Sequence, residues 1–485
     1  MTNVKKSQYN ILAGYLIINC DIMERLIMLV GFSVQNFKSF KEMQSISFVA
    51  SKVIRHKRHV WNVNDRRILK SGLIFGANAG GKSNLVEAMD LSRKIIINGL
   101  DKVDLNKKHF RISQEAYREP GVFDYRIIVN KTEYSYGIVV SYDKKEIIAE
   151  WLLRIEKSGK EVYLFNRQVD DNGTSNIDTE VTGQSVKDEI RFNIYLQDFA
   201  EGVSEILKKK TILSDIAMRS NTGQGIFGEI SDVFSWFKRM VVIFPNTKYS
   251  LLNQLTADSN MQKFFTSVLS YFDTGIEAVN NESAEIDMDK ILARMDEQKK
   301  EELKIHLSNV TEKNPILFKV DKQIYSLYKD ESGNIFSSKM LLNHGNSDDL
   351  FEYSDESDGT QRLFDFVPLF LEKYRNSIII IDEIDRSLHT NLIHRFMQKF
   401  YDYTEESACQ LLATTHDSNL LDLELLRQDE IWFVERQEDH SSSVFSLNKF
   451  RERFDKRIDK EYLLGRYGAI PVFDDDFGRW ENVNE

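Results

Sequence analysis

The chain has 485 residues, 42% hydrophobic and 29% charged, which is long enough for several domains and excludes disorder as the dominant state. Its 75 acidic and 64 basic residues give a formal charge of -11, which argues against nucleic-acid contacts over the whole surface but permits a local basic patch. The two cysteines, Cys20 and Cys409, exclude a disulfide framework and favour a reducing, cytoplasmic setting. No apolar run is long enough to cross a bilayer, so no membrane role is expected.

The first 27 residues are predicted to be a dispensable N-terminal extension. Residues 11–19 are largely apolar and follow two lysines, as in a signal peptide, but acidic residues come directly after them and no small-residue cleavage site is present. A translation start at Met23 or Met28 accounts for this segment better than export does.

The front of the chain is predicted to be rich in strands. Apolar runs at 28–34, 44–49 and 72–75 are typical of strands, and a helix is expected over 83–97. Residues 122–166 alternate apolar and polar side chains in short runs separated by polar pairs, which predicts an antiparallel meander.

The middle of the chain is predicted to be mainly helical, with a hairpin at its end. Helical spacing extends over 193–272, interrupted by a strand candidate at 241–244. Residues 284–312 are strongly charged, as is typical of a solvated helix, and segments 316–328 and 334–342 are expected to pair as a hairpin.

The last third returns to helix–strand alternation, with strands expected at 377–381, 410–414 and 430–434. Front and back together predict an α/β fold, in which a split mixed sheet is interrupted by a β-rich and helical insertion. The domains predicted from this pattern are the extension 1–27, an N-terminal lobe 28–246, the insertion 247–350 and a C-terminal lobe 351–485.

A complete phosphate-loop pattern follows the third apolar run. It consists of Gly76, Ala77, Asn78, Ala79, Gly80, Gly81, Lys82 and Ser83. The glycines let backbone N–H groups turn toward phosphate oxygens, and the N-terminus of the following helix adds partial positive charge. Lys82 is expected to contact the β- and γ-phosphates and Ser83 to bind Mg²⁺, the alternative being an ordinary glycine-rich turn.

A second element is a run of four isoleucines, 378–381, that ends in Asp382 and Glu383. Such a run is typical of a central parallel strand, and carboxylates at its C-terminal end lie where open α/β sheets bind ligands. We expect Asp382 to hold Mg²⁺ and Glu383 to orient or activate the attacking water. The strand end is weak evidence alone, but with the phosphate loop it indicates a nucleotide hydrolase.

Two further segments are candidates for phosphate contacts. Ser357-Asp358-Gly359-Thr360-Gln361 combines a glycine with hydroxyl groups at a predicted helix start, although Asp-Gly alone is more typical of a turn. His416 follows the next apolar strand, where it can contact the γ-phosphate or be purely structural.

The order of these four segments resembles that of the ABC ATPase superfamily. Within it, the chain is similar to prokaryotic RloA-type and overcoming-lysogenization-defect (OLD) ATPases rather than to transporter subunits. Asn36-Phe37-Lys38-Ser39-Phe40 looks like their opening strand and turn, and residues 384–389 look like the loop after the catalytic acid. Residues 429–435 and 465–471 are similar to the end of RloA-type chains, so the likeness extends over about residues 28–471.

The resemblance implies an ATPase that uses ATP and Mg²⁺ and completes its active site in a dimer or larger oligomer. Ser357, Gly359 and Thr360 would bind the γ-phosphate of ATP held by another subunit, and His416 would be the switch histidine. The implied nucleotide-binding residues of the chain's own loop are Lys38, Gly76, Asn78, Ala79, Gly80, Gly81, Lys82, Ser83 and Asn84. The implied catalytic residues are Glu383, Lys82 and His416, with Ser83 and Asp382 on the metal.

Two features depart from the family pattern. Ser-Asp-Gly-Thr-Gln stands where transporter subunits have Leu-Ser-Gly-Gly-Gln, which argues against the hypothesis of a transport function. The glutamine loop of the family has no certain counterpart, and Gln114 is one candidate for it.

Basic residues are concentrated between 52 and 70, with two histidines and Trp61 among them. This stretch is either a nucleic-acid or partner surface or simply a solvated loop. The acidic tail 474–476 is interpreted as a solvated chain end rather than a metal site.

The leading hypothesis is the ATP-driven switch of a bacterial anti-phage (abortive infection) system. Only residues 417–485 follow His416, too few for the nuclease domain of OLD-type chains, so the toxic activity is assigned to a separate, nuclease-like effector. The resemblance implies a neighbouring-gene partner of RloB-like type, and a phage protein is the expected trigger. The alternatives are a DNA repair or recombination clamp on duplex DNA and, less favoured, a transporter subunit.

Overall fold

The computed structural model describes residues 26–170, 172–181, 185–200, 205–220, 224–245, 259–285, 316–320, 323–330, 332–450 and 452–471. As far as they are described, these residues form two compact units. The first comprises 1–244, 373–384 and 400–485, and the second comprises 245–372 and 385–399. The predicted extension lies outside the described residues except for Leu26 and Ile27, of which Ile27 opens the first strand.

The first unit contains fifteen strands among its described residues: β1 (Ile27–Gln35), β2 (Gln44–Ser47), β3 (Val60–Val63), β4 (Arg66–Leu69), β5 (Ser71–Phe75), β6 (Gly121–Val129), β7 (Thr132–Ser141), β8 (Glu146–Ile155), β9 (Glu161–Val169), β10 (Ser175–Asp178), β11 (Met240–Ile243), β17 (Ile378–Ile381), β18 (Gln410–Thr414), β19 (Ile431–Arg436) and β20 (Ser442–Ser446). Its α-helices are α1 (Lys82–Asn98), α2 (Val186–Ala200), α3 (Ile212–Arg219), α4 (Gly225–Lys238) and α8 (Ile458–Leu463).

The second unit contains β12 (Ala278–Glu285), β13 (Ile316–Val320), β14 (Gln323–Lys329), β15 (Ile335–Asn343) and β16 (Phe351–Glu352). Its helices are α5 (Ser259–Tyr271), α6 (Asp358–Phe366) and most of α7 (Thr390–Tyr403), whose last turn is assigned to the first unit. The structure is therefore of the predicted α/β class, with helices and several sheets in one chain.

The central sheet of the first unit has the order β11-β17-β18-β5-β19-β20, in which only β20 is antiparallel to its neighbour. All four isoleucines of β17 are buried, as expected of a parallel strand covered on both faces. Because β5, β17 and β18 run in the same direction, the residues that follow them meet at one edge of the sheet. The predicted strands 72–75, 241–244, 377–381 and 410–414 are confirmed here, within one residue at each end.

An antiparallel sheet of order β10-β9-β8-β7-β6-β1-β2 forms the other half of the first unit, and it confirms the predicted meander. The fully buried Gln410 side chain connects it to the central sheet, because its Nε2 donates to Leu29 O at 3.0 Å and to Leu69 O at 2.8 Å. A buried amide with all these partners fixes the start of β18 against two other strands.

Helix α1 begins directly after the phosphate loop and packs one apolar face into the core. Its buried residues include Leu85, Met89, Ser92 and Ile96, spaced three and four apart as on one helix face. The helix ends at Gly99, whose φ of 83° is readily adopted by glycine. This packing positions the helix N-terminus at the loop.

The predicted hairpin is confirmed by the antiparallel pair β14 and β15, but its first arm and the start of the predicted charged helix differ from the structure. The predicted strand 316–328 is two strands, β13 and β14, which pair antiparallel with Val320 opposite Gln323. The predicted charged helix begins at residue 284, but β12 continues to Glu285 because it pairs with β15 along its whole length. The remainder of that predicted helix, 286–312, lies outside the described residues.

The boundary predicted at residue 350 also differs from the structure. The second unit continues to Glu372 and includes the start of α7. Aromatic packing explains this extent, because the rings of Phe366 and Phe370 lie 5.1 Å and 5.6 Å from that of Phe396. The predicted C-terminal lobe is therefore divided between both units.

Candidate functional site

The phosphate loop joins β5 to α1 and has a backbone that favours glycine at several positions. Gly76, Ala79 and Gly81 have φ of 156°, 62° and 112°. A Cβ at Gly76 would collide with Val434 O, and one at Gly81 would collide with Ser442 Oγ and lie 2.7 Å from Ser39 Oγ. The glycines are thus required both by backbone conformation and by the close approach of neighbouring strands.

Lys82 is buried at the first position of α1, and its ammonium group lies inside the loop. Nζ donates to Gly76 O at 2.7 Å and to Ala77 O at 3.0 Å, and it lies 3.1 Å from His416 Nδ1. The N-cap residue of α1 is Gly81, and among the described residues no side chain forms a capping hydrogen bond at this end of the helix. The loop therefore combines a lysine and a helix N-terminus at one point, the arrangement that binds phosphate.

Asp382 follows β17 and is held by two hydroxyl groups. Ser83 Oγ donates to its Oδ1 at 3.1 Å and Thr414 Oγ1 donates to the same atom at 2.6 Å. Burial raises the pKa of Asp382, and the two hydroxyl donors oppose that rise by stabilising the carboxylate. The structure thus brings together Ser83 and Asp382, the two residues expected to hold the metal.

Glu383 and His416 lie next to each other at the same edge. His416 Nε2 is 3.6 Å from Glu383 Oε1, and both side chains are about one-third exposed. Since the other ring nitrogen of His416 faces the Lys82 ammonium, the imidazole lies between the lysine and the carboxylate. Lys82, His416 and Glu383, which are expected to act in hydrolysis, therefore lie in a row in that order.

Lys38 and Asn84 are placed differently from the loop residues. The Lys38 ammonium forms an ion pair with Glu87 of α1, and Asn84 Nδ2 donates to Ser39 Oγ at 2.8 Å. Ser39 O in turn accepts from Ser442 N at 2.7 Å. The opening turn therefore supports the phosphate loop from outside, and Lys38 contacts the helix that follows it.

Sequence reasoning missed the role of two hydroxyl residues. Ser442 Oγ, on β20, donates to Gly80 O at 2.7 Å and so buttresses the phosphate loop from a strand 362 positions away. No local pattern distinguishes Ser442 from its serine neighbours. Thr414 is the last residue of β18, and a hydroxyl residue at the end of a buried strand next to His416 is a signal that the sequence contains.

The segment Ser357–Thr360 belongs to the second unit, where it starts α6. Ser357 is the N-cap, and its Oγ accepts from Thr360 N at 3.1 Å and pairs with Thr360 Oγ1 at 2.9 Å. At Gly359 an added Cβ would lie 2.7 Å from Ser387 O, in the loop that follows the acidic strand. The glycine therefore permits close contact between these two segments.

Replacing Gly359 with alanine is expected to destabilise the second unit by about 1–3 kcal/mol, because the methyl group would push the Ser387 backbone away. Thermal unfolding of the two variants Gly359→Ala and Asp358→Ala would measure this, since Asp358 is exposed in the same helical turn. Equal melting temperatures for both variants and the wild type would contradict the close contact.

Several basic residues of the stretch 52–70 form contacts within the first unit, while Lys52, Arg55, Lys57 and Arg58 stay exposed. Arg58 pairs with Asp402 at 2.6 Å, Arg66 with Glu133 at 3.1 Å, and Arg67 Nη1 donates to Ser51 O at 2.9 Å. Lys70 is buried, donates to Glu405 O at 3.0 Å, and its pKa is lowered to about 8 by burial. Strands β3 and β4 form a hairpin here, which neither interpretation of the stretch predicted.

Gln114 is exposed and precedes the single turn Glu115–Tyr117. In the described part of the chain, no cluster of three or more His, Cys, Asp or Glu side chains is suited to a metal ion. The described helices also include none with the length and apolar character needed to span a bilayer.

Comparisons with solved structures find weak likenesses to heads of SMC proteins. One is an SMC head bound to the C-winged-helix domain of ScpA, 14% identical, with a TM-score of 0.34, covering 87% of this chain and 99% of that one. Another is the SMC head domain from Thermotoga maritima, 12% identical, with a TM-score of 0.31, covering 86% of this chain and 98% of that one. No curated protein matches the sequence.

The sequence matches one family over more than half of its length, at residues 73–197 and 247–422. The first segment includes the phosphate loop, and the second includes Ser357, Asp382, Glu383 and His416. The match thus covers the loop together with Asp382, Glu383 and His416, which lie beside it. The chain belongs to this family of AAA ATPase domains, described as "AAA domain, putative AbiEii toxin, Type IV TA system".

Proposed function

We propose that the chain binds and hydrolyses ATP at the phosphate loop. The observation that carries this proposal is the row Lys82, His416 and Glu383 beside the pair Ser83 and Asp382, all at the edge where three parallel strands end. Lys82 would bind the β- and γ-phosphates, and the N-terminus of α1 would bind their oxygens through backbone N–H groups.

The side chains at this edge fit Mg²⁺. Ser83 and Asp382 offer a hydroxyl and a carboxylate oxygen 3.1 Å apart, and hard oxygen donors of this kind, with phosphate, are what Mg²⁺ prefers. These two residues would hold the ion, which would neutralise charge on the phosphates. The raised pKa of the buried Asp382 carboxyl is consistent with a group that gains stability when a cation is close.

Glu383 is proposed as the general base for the attacking water, because its carboxylate is partly exposed at the strand end. His416 would be the switch residue that contacts the γ-phosphate. Because its imidazole lies between the Lys82 ammonium and the Glu383 carboxylate, it can keep these two charged groups apart and hold their orientation.

A second copy of the chain would complete the site. Ser357, Gly359 and Thr360 start α6, and Ser357 is exposed, so a hydroxyl and backbone N–H groups can bind phosphate oxygens of a neighbouring subunit.

In the cell, we assign the chain to an anti-phage abortive-infection system of RloA type, as its ATP-dependent switch in the cytoplasm. The family description, which names a toxin of the AbiEii kind and a toxin–antitoxin system, supports this assignment. ATP binding would close the assembly, a phage protein would trigger it, and a nuclease-like effector encoded by a neighbouring gene would act. Residues 1–27 are proposed to be dispensable for the switch.

Plaque formation by a phage panel tests the biological assignment. Cells would carry the gene with its neighbour, in wild-type form, as Lys82→Ala, or with the neighbour deleted. We expect protection from at least one phage in the wild type and its loss, by roughly 100-fold or more in plaque number, in both altered strains, because tight ATP binding depends on the Lys82 charge.

Equal plaque counts in all three strains would reject the defence function. DNA binding as a function of salt would then test the alternative of a clamp on duplex DNA, since phosphate contacts give a steep loss of affinity with salt. Lys70 is buried, so DNA binding through residues 52–70 would depend on the exposed basic residues Lys52, Arg55, Lys57 and Arg58.

A further inference from the structure

Thr414 is the last residue of β18 and is fully buried. Its single hydroxyl group contacts Asp382 and Glu383, the two acidic residues that directly follow the neighbouring strand β17. Oγ1 donates to Asp382 Oδ1 at 2.6 Å and accepts from the backbone N–H of Glu383 at 2.8 Å. No motif or family assignment gives this residue a function.

The direction of these two hydrogen bonds is determined by chemistry. A backbone N–H can only donate, so the hydroxyl oxygen must accept from Glu383. The one hydroxyl proton is then available for Asp382, whose ionised carboxylate can only accept. Thr414 therefore stabilises the charged form of Asp382 while it restrains the backbone of the next residue.

That restraint matters because Glu383 has an unusual backbone conformation. Its φ is 51°, in the left-handed region that a residue with a long side chain rarely adopts. Such a conformation persists only where surrounding contacts impose it, and it is common at functional sites. Here Thr414 makes two such contacts. Its hydroxyl accepts from Glu383 N, and its backbone oxygen accepts from Ile384 N at 2.9 Å.

The Thr414 hydroxyl therefore influences the orientation of both the Asp382 and the Glu383 side chain. Asp382 Oδ1 is held toward Ser83, which donates to the same atom, and the Glu383 side chain is turned toward His416. Loss of the hydroxyl would remove one of the two Thr414 contacts that hold the Glu383 turn and leave Asp382 with one donor fewer in a buried environment.

We propose that Thr414 is a positioning residue, which uses one hydroxyl group to hold the Asp382 carboxylate and the Glu383 backbone in the orientations needed for Mg²⁺ binding and hydrolysis. The proposal rests on the ATPase function proposed above. It adds a residue that acts through the two acids.

The chain offers a matched set of variants for the test. Thr414→Val keeps the shape and removes the hydroxyl, and Thr414→Ser keeps the hydroxyl and removes a methyl group. Thr415→Val is the control, because Thr415 is equally buried in the next position but its hydroxyl accepts from Asp417 N at 3.1 Å instead. Thermal unfolding would be recorded for all three variants.

Two quantities are measured for each variant: the affinity for ATP with and without Mg²⁺, and the turnover number for ATP hydrolysis. For Thr414→Val we expect ATP affinity without Mg²⁺ to stay within about twofold of the wild type. Loss of a hydrogen bond to a charged group should reduce the Mg²⁺-dependent gain in affinity and lower turnover by roughly 10- to 100-fold. Thr414→Ser should recover most of both, and Thr415→Val should behave as the wild type.

Wild-type values for Thr414→Val, or equal losses in Thr414→Ser and Thr414→Val, would overturn the positioning role. A loss in Thr415→Val as large as that in Thr414→Val would assign the effect to packing of the strand end and overturn it equally. Failure of the ATPase function itself is distinguished from these results, because the wild type would then show neither ATP binding nor a response to Mg²⁺.

Discussion

Replacing Lys82 with alanine is expected to abolish tight ATP binding. The buried ammonium group lies 2.7 Å and 3.0 Å from two carbonyl oxygens of the phosphate loop. Charge-assisted contacts to phosphate are among the strongest hydrogen bonds in proteins, so we expect affinity to fall by at least about 100-fold, or ~3 kcal/mol. Titration calorimetry of ATP with the purified chain would measure the loss.

Two further variants separate this effect from damage to the loop. Lys82→Met keeps most of the side-chain stem and should lose affinity as Lys82→Ala does. Lys94→Ala removes an exposed lysine on the same helix, paired with Asp90 at 2.6 Å, and should leave ATP affinity unchanged. Wild-type affinity in Lys82→Met would show that the site is elsewhere.

Replacing Glu383 with glutamine is expected to keep ATP binding and slow hydrolysis by about 100-fold or more, the typical contribution of a general base. The amide is similar in size to the carboxylate and can remain beside His416, but it cannot accept the proton of the attacking water. Because ATP would then persist in the site, we expect the closed assembly to accumulate. Phosphate release under single-turnover conditions, together with size-exclusion chromatography in ATP, measures both effects.

Glu405→Gln is the control for this prediction, since Glu405 is an exposed carboxylate of the same unit and Lys70 Nζ donates to its backbone oxygen, which the substitution keeps. A normal hydrolysis rate in Glu383→Gln would remove Glu383 from the proposed catalytic role. Weaker ATP binding in this variant would instead assign Glu383 to nucleotide binding.

Much of the candidate site was predictable because its chemistry is local. A phosphate loop needs glycines at fixed offsets from Lys82 and Ser83, and an apolar strand ending in Asp382 and Glu383 is readable over six residues. The parallel order of β5, β18 and β17 then brings these two segments to one edge, as an α/β pattern leads one to expect.

Long-range contacts were not predictable in the same way. The sequence by itself determined the phosphate loop, the acidic strand end and the α/β class, because each depends on neighbouring residues and on hydrophobic periodicity. Only the tertiary structure decided that Thr414 bonds both Asp382 and Glu383 and that Ser442 supports Gly80. It likewise decided that Arg58 of the basic stretch pairs with Asp402 and that the second unit extends to Glu372. These contacts join residues from 31 positions apart, as for Glu383 and Thr414, to 362 positions apart, as for Gly80 and Ser442, and their geometry exists only once the sheets have formed.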